Sequence, residues 1–243
     1  MSLLDNVAIP RKTMVLFFVI DTSGSMQGSK IGAVNSAIEE VVPELKDLSE
    51  ENADAQIKIA VLEFSSGVVW RTPNGPVPAE EYAWRDLDAS GVTDLGAACL
   101  ALNEKLSTKA FMQEATGSFA PAIFLLSDGE PTDDYKKGLE TLQQNSWFKK
   151  AIKVAVAIGE EANTSVLAEF TGNKELVTAV HSAPVLKKMI KFVSVRASQV
   201  ASKSANVGSD KGVGDSKQSA FIDELKDIKV EAAASADAGD EEW

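Results

Sequence analysis

Asp21-Thr22-Ser23-Gly24-Ser25 sets one carboxylate and two hydroxyls on a single short loop. These are hard oxygen donors. Small, oxygen-only side chains suit Mg²⁺ or another hard cation, which takes about six oxygens near octahedral positions and keeps some of its water. Gly24, which has no Cβ, lets the loop curl so that both serines face inward. A second carboxylate, Asp128, ends another apolar run, Ala122-Ile123-Phe124-Leu125-Leu126, and is followed by Gly129. Alone, the D-x-S-x-S spacing is ambiguous, because Asp and Ser also cap helices at strand-to-helix turns.

The flanking sequence indicates how these residues are held. Met14 to Ile20 reads MVLFFVI, an uninterrupted run rich in β-formers, as expected of a strand buried on both faces of a parallel sheet. Ile31, Val34, Ile38, Val41, Val42 and Leu45 then recur at helical spacing and form one apolar stripe. Ile57 to Leu62, the Ser65-Ser66-Gly67 turn and Val68-Val69-Trp70 predict an antiparallel edge hairpin. Leu95, Ala98, Cys99, Leu102 and Leu106 mark a second helix, and Ala122 to Leu126 another buried strand. Ile152 to Ile158 and Leu176 to Val180 predict two more strands around a short helix near Ser165 to Phe170, and a long helix runs from about Pro184 to Ser202. This alternation predicts an α/β domain over residues 1–203, with a doubly wound, mostly parallel sheet, one antiparallel edge strand and helices on both faces. Such sheets bind ligands beyond the carboxyl ends of their strands.

The Asp21 loop resembles the metal-ion-dependent adhesion site (MIDAS) of the von Willebrand factor A (VWA) family, and the likeness extends over residues 12–202. The family draws a Thr from a second loop, matched by Thr93 in Ser90-Gly91-Val92-Thr93-Asp94-Leu95-Gly96, and an Asp from a third, matched by Asp128. The resemblance implies a Rossmann-like fold and a divalent metal held through Asp21, Ser23, Ser25, Thr93 and Asp128. Mg²⁺ is the expected cation, with Ca²⁺ or Mn²⁺ as alternatives. It further implies incomplete coordination by the protein, so that an Asp or Glu carboxylate of a partner protein completes the shell and binding, without catalysis, is the function. Within the family, Leu126-Ser127-Asp128-Gly129-Glu130-Pro131-Thr132-Asp133 and Val92-Thr93-Asp94-Leu95-Gly96 are similar to the bacterial TerY-like proteins of tellurite-resistance systems. That likeness implies a setting of metal or oxidant stress and partners that include kinase- or phosphatase-like proteins.

Other chemistries fit the residues less well. A strand ending in Asp21 and a later Asp128-Gly129 with Asp133-Asp134 superficially resemble a haloacid dehalogenase-like phosphatase. That reaction needs a second Asp two residues after the nucleophile, and Ser23 stands there. A scaffold with a vestigial metal site is the third reading. An EF-hand is excluded because Asp133 and Leu139 occupy the sixth and twelfth positions counted from Asp128. His181 is the only histidine, so any histidine-based catalytic system would have to use it. Asp94, Glu130, Asp133 and Asp134 read as solvated loop acids or helix N-terminal charges, and Trp70 and Trp84 as packing residues.

Composition bounds the remaining possibilities. The chain has 243 residues, 44% hydrophobic and 25% charged, which is ordinary for one large α/β domain with an appendage. A net charge of −12 argues against a partner that tracks nucleic-acid phosphates. No apolar run reaches the roughly 18 residues of a membrane span, and Met1 to Lys12 lacks the pattern of a secretory signal, so a cytoplasmic location is expected. Cys99 is the single cysteine, which precludes an internal disulfide. Without a secretory signal, Asn163-Thr164-Ser165 reads as a chance match to a glycosylation site. Residues 204–243 hold ten acids and four bases and are dominated by Ala, Ser, Gly and Asp, a composition expected to stay largely disordered. Phe221, Ile222, Leu225 and Ile228 are spaced for a short amphipathic helix over 219–230 that could dock on the domain or on a partner.

Overall fold

The computed structural model describes residues 11–113, 117–159, 162–180 and 183–203, together with Ile222, Leu225 and Lys226. The strands are β1 (Lys12–Asp21), β2 (Ala55–Ser65), β3 (Gly67–Trp70), β4 (Val77–Pro78), β5 (Ala122–Ser127), β6 (Ile152–Ile158) and β7 (Val177–Val180). The helices are α1 (Ser29–Glu51), α2 (Leu95–Lys105), α3 (Tyr135–Gln144), α4 (Ser146–Lys150), α5 (Thr164–Thr171) and α6 (Ala183–Lys203), with 3₁₀ turns at Gly24–Met26 and Lys174–Leu176.

The strand order is β3-β2-β1-β5-β6-β7. β1 pairs in parallel with both β2 and β5, and β6 and β7 continue the parallel array. The expected hairpin is present as β2–β3, and β4 extends the same antiparallel edge further along β2. The chain leaves β1 toward β2 on one side and returns on its other side through β5. The point between β1 and β5, where the winding reverses, is where a doubly wound sheet opens a crevice at its carboxyl edge.

Side-chain alternation along β1 accounts for both layers. Met14, Leu16, Phe18 and Ile20 face the core shared with α1 and α6, while Val15, Phe17 and Val19 face the core shared with α2, α3, α4 and α5. A strand buried on both sides has no polar face, and the continuous MVLFFVI run reflects that. Phe18 stacks on Phe124 of β5 at 5.2 Å between ring centroids, and Trp70 meets Phe111 edge-on at 4.9 Å, a packing role for this tryptophan.

α3 and α4 were not anticipated from the sequence. α3 buries Gly138, Leu139 and Leu142, and its contact with α2 is backbone to backbone: a Cβ on Gly138 would meet the Gly96 carbonyl oxygen. Asn145 begins α4 by accepting hydrogen bonds from the amides of Trp147 at 2.8 Å and Phe148 at 3.3 Å. Asn163 does the same for α5, accepting from Ser165 at 3.2 Å and Val166 at 3.4 Å, so the Asn163-Thr164-Ser165 triplet has a structural explanation as a helix cap.

The acidic segment 204–243 and His181 lie outside the described residues, apart from Ile222, Leu225 and Lys226. Ile222 and Leu225 are helical and buried in the core beneath α1 and α6, and Lys226 pairs with Glu175 at 3.6 Å. Among the described residues no helix is long and apolar enough to cross a membrane.

Candidate metal centre

Asp21 is the last residue of β1 and is fully buried. A carboxylate in that position needs partners, and both oxygens have them. Oδ1 accepts a 2.9 Å hydrogen bond from the Ser23 amide, and Oδ2 accepts one of 2.6 Å from the Ser127 hydroxyl. Burial is the largest influence on Asp21 and pushes its pKa above the ordinary carboxylate range. The hydrogen bonds from Ser127 and Ser23 pull the other way, and the nearby charge of Asp128 adds to the rise.

Ser23 is buried and Ser25 exposed, and their hydroxyl oxygens lie 3.0 Å apart. The loop thus runs from a buried carboxylate through a buried hydroxyl to one at the solvent opening. Gly24 closes it against the second loop: its amide donates to the Gly91 carbonyl at 2.9 Å, and a Cβ at Gly24 would lie 3.2 Å from that same oxygen. The Ser90 amide donates to the Thr22 carbonyl at 2.7 Å. These two backbone bonds fasten the Thr93 loop to the Asp21 loop.

Thr93 is buried and exchanges bonds with the third loop. Its amide donates to the Thr132 hydroxyl at 2.9 Å, and the Thr132 amide donates to the Thr93 carbonyl at 2.9 Å. Asp128 follows β5 directly and is 5% exposed. Its Oδ2 lies 3.4 Å from the Lys30 ammonium, whereas Oδ1 is buried with no hydrogen-bond partner. A buried carboxylate oxygen without a donor is costly, and such an atom calls for a ligand.

The five residues singled out from sequence are therefore gathered at the carboxyl edge between β1 and β5, though by different means. Asp21, Ser23 and Ser25 are connected directly, Asp128 is joined to Asp21 through Ser127, and Thr93 is tied in by its backbone. Two carboxylates and the Ser23 and Ser25 hydroxyls, with Thr93 held alongside by its backbone, make an all-oxygen donor set that fits a hard divalent cation. Among the described residues no group of three or more His, Cys, Asp or Glu is placed to hold a metal, so any cation here depends on the hydroxyls.

The neighbouring acids have other tasks. Asp133 accepts from the amides of Gly96 and Ala97, each at 3.0 Å, and Asp94 accepts from the Gly67 amide at 2.7 Å. Sequence reasoning overlooked Ser127, which bridges Asp21 and the Gly129 amide, and Lys30. A signal for Lys30 existed, because a cation in the first turn of a helix opposes the helix dipole and so needs an anion nearby.

The von Willebrand factor type A domain pattern matches residues 16–192. The chain belongs to that family. It is 31% identical over 126 residues to inter alpha-trypsin inhibitor heavy chain 4 of Mus musculus, a match covering 51% of this chain and 13% of that protein. Among solved structures, a von Willebrand factor type A protein from Catenulispora acidiphila aligns with a TM-score of 0.55 at 16% identity, covering 77% of this chain and 43% of that one. Proximal thread matrix protein 1 from the mussel byssus, in a form with a zinc-occupied MIDAS motif, aligns with a TM-score of 0.54 at 16% identity, covering 77% and 48% of the two chains. The structural likenesses establish the VWA fold for this chain.

Proposed function

We propose that this VWA domain is a metal-dependent protein-binding module whose MIDAS is formed by Asp21, Ser23, Ser25, Thr93 and Asp128. The observation that carries this reading is the Oδ1 atom of Asp128, a buried acceptor with no donor at the crevice where Asp21, Ser23 and Ser25 already converge. A divalent cation held by these residues would supply a Lewis-acidic centre able to attract an Asp or Glu carboxylate of a partner protein. The zinc-occupied MIDAS of the mussel protein supports a divalent metal at a site of this fold. Zinc prefers nitrogen and sulfur ligands, and the all-oxygen set here favours Mg²⁺, with Mn²⁺ or Ca²⁺ as substitutes.

The role proposed is binding rather than catalysis. Both oxygens of Asp21 are engaged by Ser23 and Ser127, and the residue two positions later is a serine, which cannot replace the acid/base carboxylate of a phosphatase. We further propose a cytoplasmic location and, on the 126–133 and 92–96 motifs, a TerY-like tellurite-resistance or related stress response with kinase- or phosphatase-like partners.

The test is a thermal melt of EDTA-stripped protein with and without Mg²⁺, Mn²⁺ and Ca²⁺, run beside Asp21→Ala and Thr93→Ala. A cation at a hundredfold excess over its dissociation constant stabilises the folded state by about 2.7 kcal/mol, a Tm increase of roughly 5–10 °C for a domain of this size. The increase is expected in the wild type and absent from both variants. No increase in the wild type would leave a scaffold with a vestigial site.

A further inference from the structure

Lys30 has no task in the binding role just described, yet its surroundings are built for it. It occupies the first turn of α1, where the helix dipole disfavours a cation, and its ammonium lies 3.4 Å from Asp128 Oδ2. Its aliphatic stem runs over Gly159 at the end of β6. Gly159 has φ +91°, a backbone conformation that favours glycine, and Lys30 Cε would lie 2.8 Å from a Cβ there, so the stem rests directly on the bare backbone. Lys30 is therefore seated beside Asp128, on the oxygen opposite the one that lacks a donor.

We propose that Lys30 is a positioning residue that sets the charge of the site, weakening its hold on the divalent cation and strengthening its hold on the anionic group that completes the shell. The inference rests on the metal-binding reading above. Asp21 and Asp128 together neutralise a divalent cation, and a third positive charge from Lys30 leaves the loaded centre with a net charge of about +1. An incoming carboxylate then meets a cationic site instead of a neutral one. The same charge repels the metal and already occupies one oxygen of its ligand. The two effects have opposite signs and one cause, which a purely structural lysine would not produce.

Isothermal titration of EDTA-stripped protein with Mn²⁺ reads the first effect. The second is read by titrating acetate into the Mn²⁺-loaded protein while water-proton relaxation is followed. Lys30→Met removes the charge, Lys30→Gln removes it but keeps a hydrogen-bond donor and provides a second neutral variant if the first folds poorly, and Lys30→Arg keeps the charge. In the neutral variants Mn²⁺ should bind roughly three- to tenfold more tightly and acetate more weakly by a similar factor, as expected for loss of one charge near a partly exposed site. Lys30→Arg should stay close to the wild type in both. Neutral variants that bind Mn²⁺ no more tightly than a wild type that does bind it would overturn the role of Lys30 and leave the metal site standing. So would an unchanged acetate affinity. A wild type that takes up no Mn²⁺ would overturn both.

Discussion

The Ser127 hydroxyl donates a 2.6 Å hydrogen bond to Asp21 Oδ2 and accepts one of 2.8 Å from the Gly129 amide, joining the ends of β1 and β5 at the mouth of the crevice. One small side chain therefore satisfies a buried carboxylate on one strand and orders the turn that presents Asp128 on the next.

Replacing Ser127 by Ala should be disproportionately costly for so small a change. A hydrogen bond to a charged group contributes about 1.5–3 kcal/mol, and the variant also leaves a buried amide without its acceptor. The expected loss in stability is about 2–4 kcal/mol by chemical denaturation, with an unchanged denaturant slope. Ser127→Thr, which keeps the hydroxyl, should recover part of it. A loss below about 0.5 kcal/mol for Ser127→Ala would mean that the bond to Asp21 contributes little.

Asp133 leads to a second expectation, one that separates structural acids from metal-binding ones. Asp94 is the residue preceding α2, but its side chain makes no capping bond there and is turned to the Gly67 amide. The orphan amides of Gly96 and Ala97 are instead capped from the third loop by Asp133. Asp133→Ala should cost about 1–2 kcal/mol, lowering Tm by roughly 2–8 °C, while the Tm increase produced by Mg²⁺ persists. If that variant abolished the cation effect while remaining folded, Asp133 would belong to the metal site and the division drawn here would be wrong.

How much of this was legible beforehand depends on how locally each feature is encoded. β1 and β5 were readable because strands buried on both faces need continuous apolar runs, and α1 because Ile31, Val34, Ile38, Val41 and Leu45 leave an unmistakable stripe. α3 went unread although Tyr135, Leu139 and Leu142 follow helical spacing: two leucines in a short polar segment make a thin signal, and the closest contact is made by Gly138, whose value is the side chain it lacks. The loop chemistry around Asp21 was visible as a motif. The pairings of Asp128 with Lys30 and of Asp21 with Ser127 span 98 and 106 residues and exist only once the strand order is set. Ile222 and Leu225 were legible as an apolar pair at helical spacing within an otherwise polar tail, and both are helical and buried, but that they pack on the domain follows only from the tertiary structure.

Cys99 provides a check on the core of the α2 layer. The thiol is 1% exposed among Val15, Phe17, Leu102 and their neighbours, and burial, with a smaller contribution from the charge of Asp133, pushes its pKa up to about 12. Only the thiolate is nucleophilic, and at pH 8 a thiol with that pKa is ionised to roughly one part in ten thousand. The native protein should therefore release almost no thionitrobenzoate from Ellman's reagent over minutes, whereas one thiol per chain should react at once in guanidinium chloride. Between pH 7 and 9 the slow native reaction should report the opening of α2 and not exposure of a ready thiolate. Because Asp133 caps α2, Asp133→Ala should speed the labelling by up to about tenfold for each 1.4 kcal/mol of stability lost. Labelling of the native wild type as fast as that of the unfolded chain would show that α2 does not seal this side of the sheet.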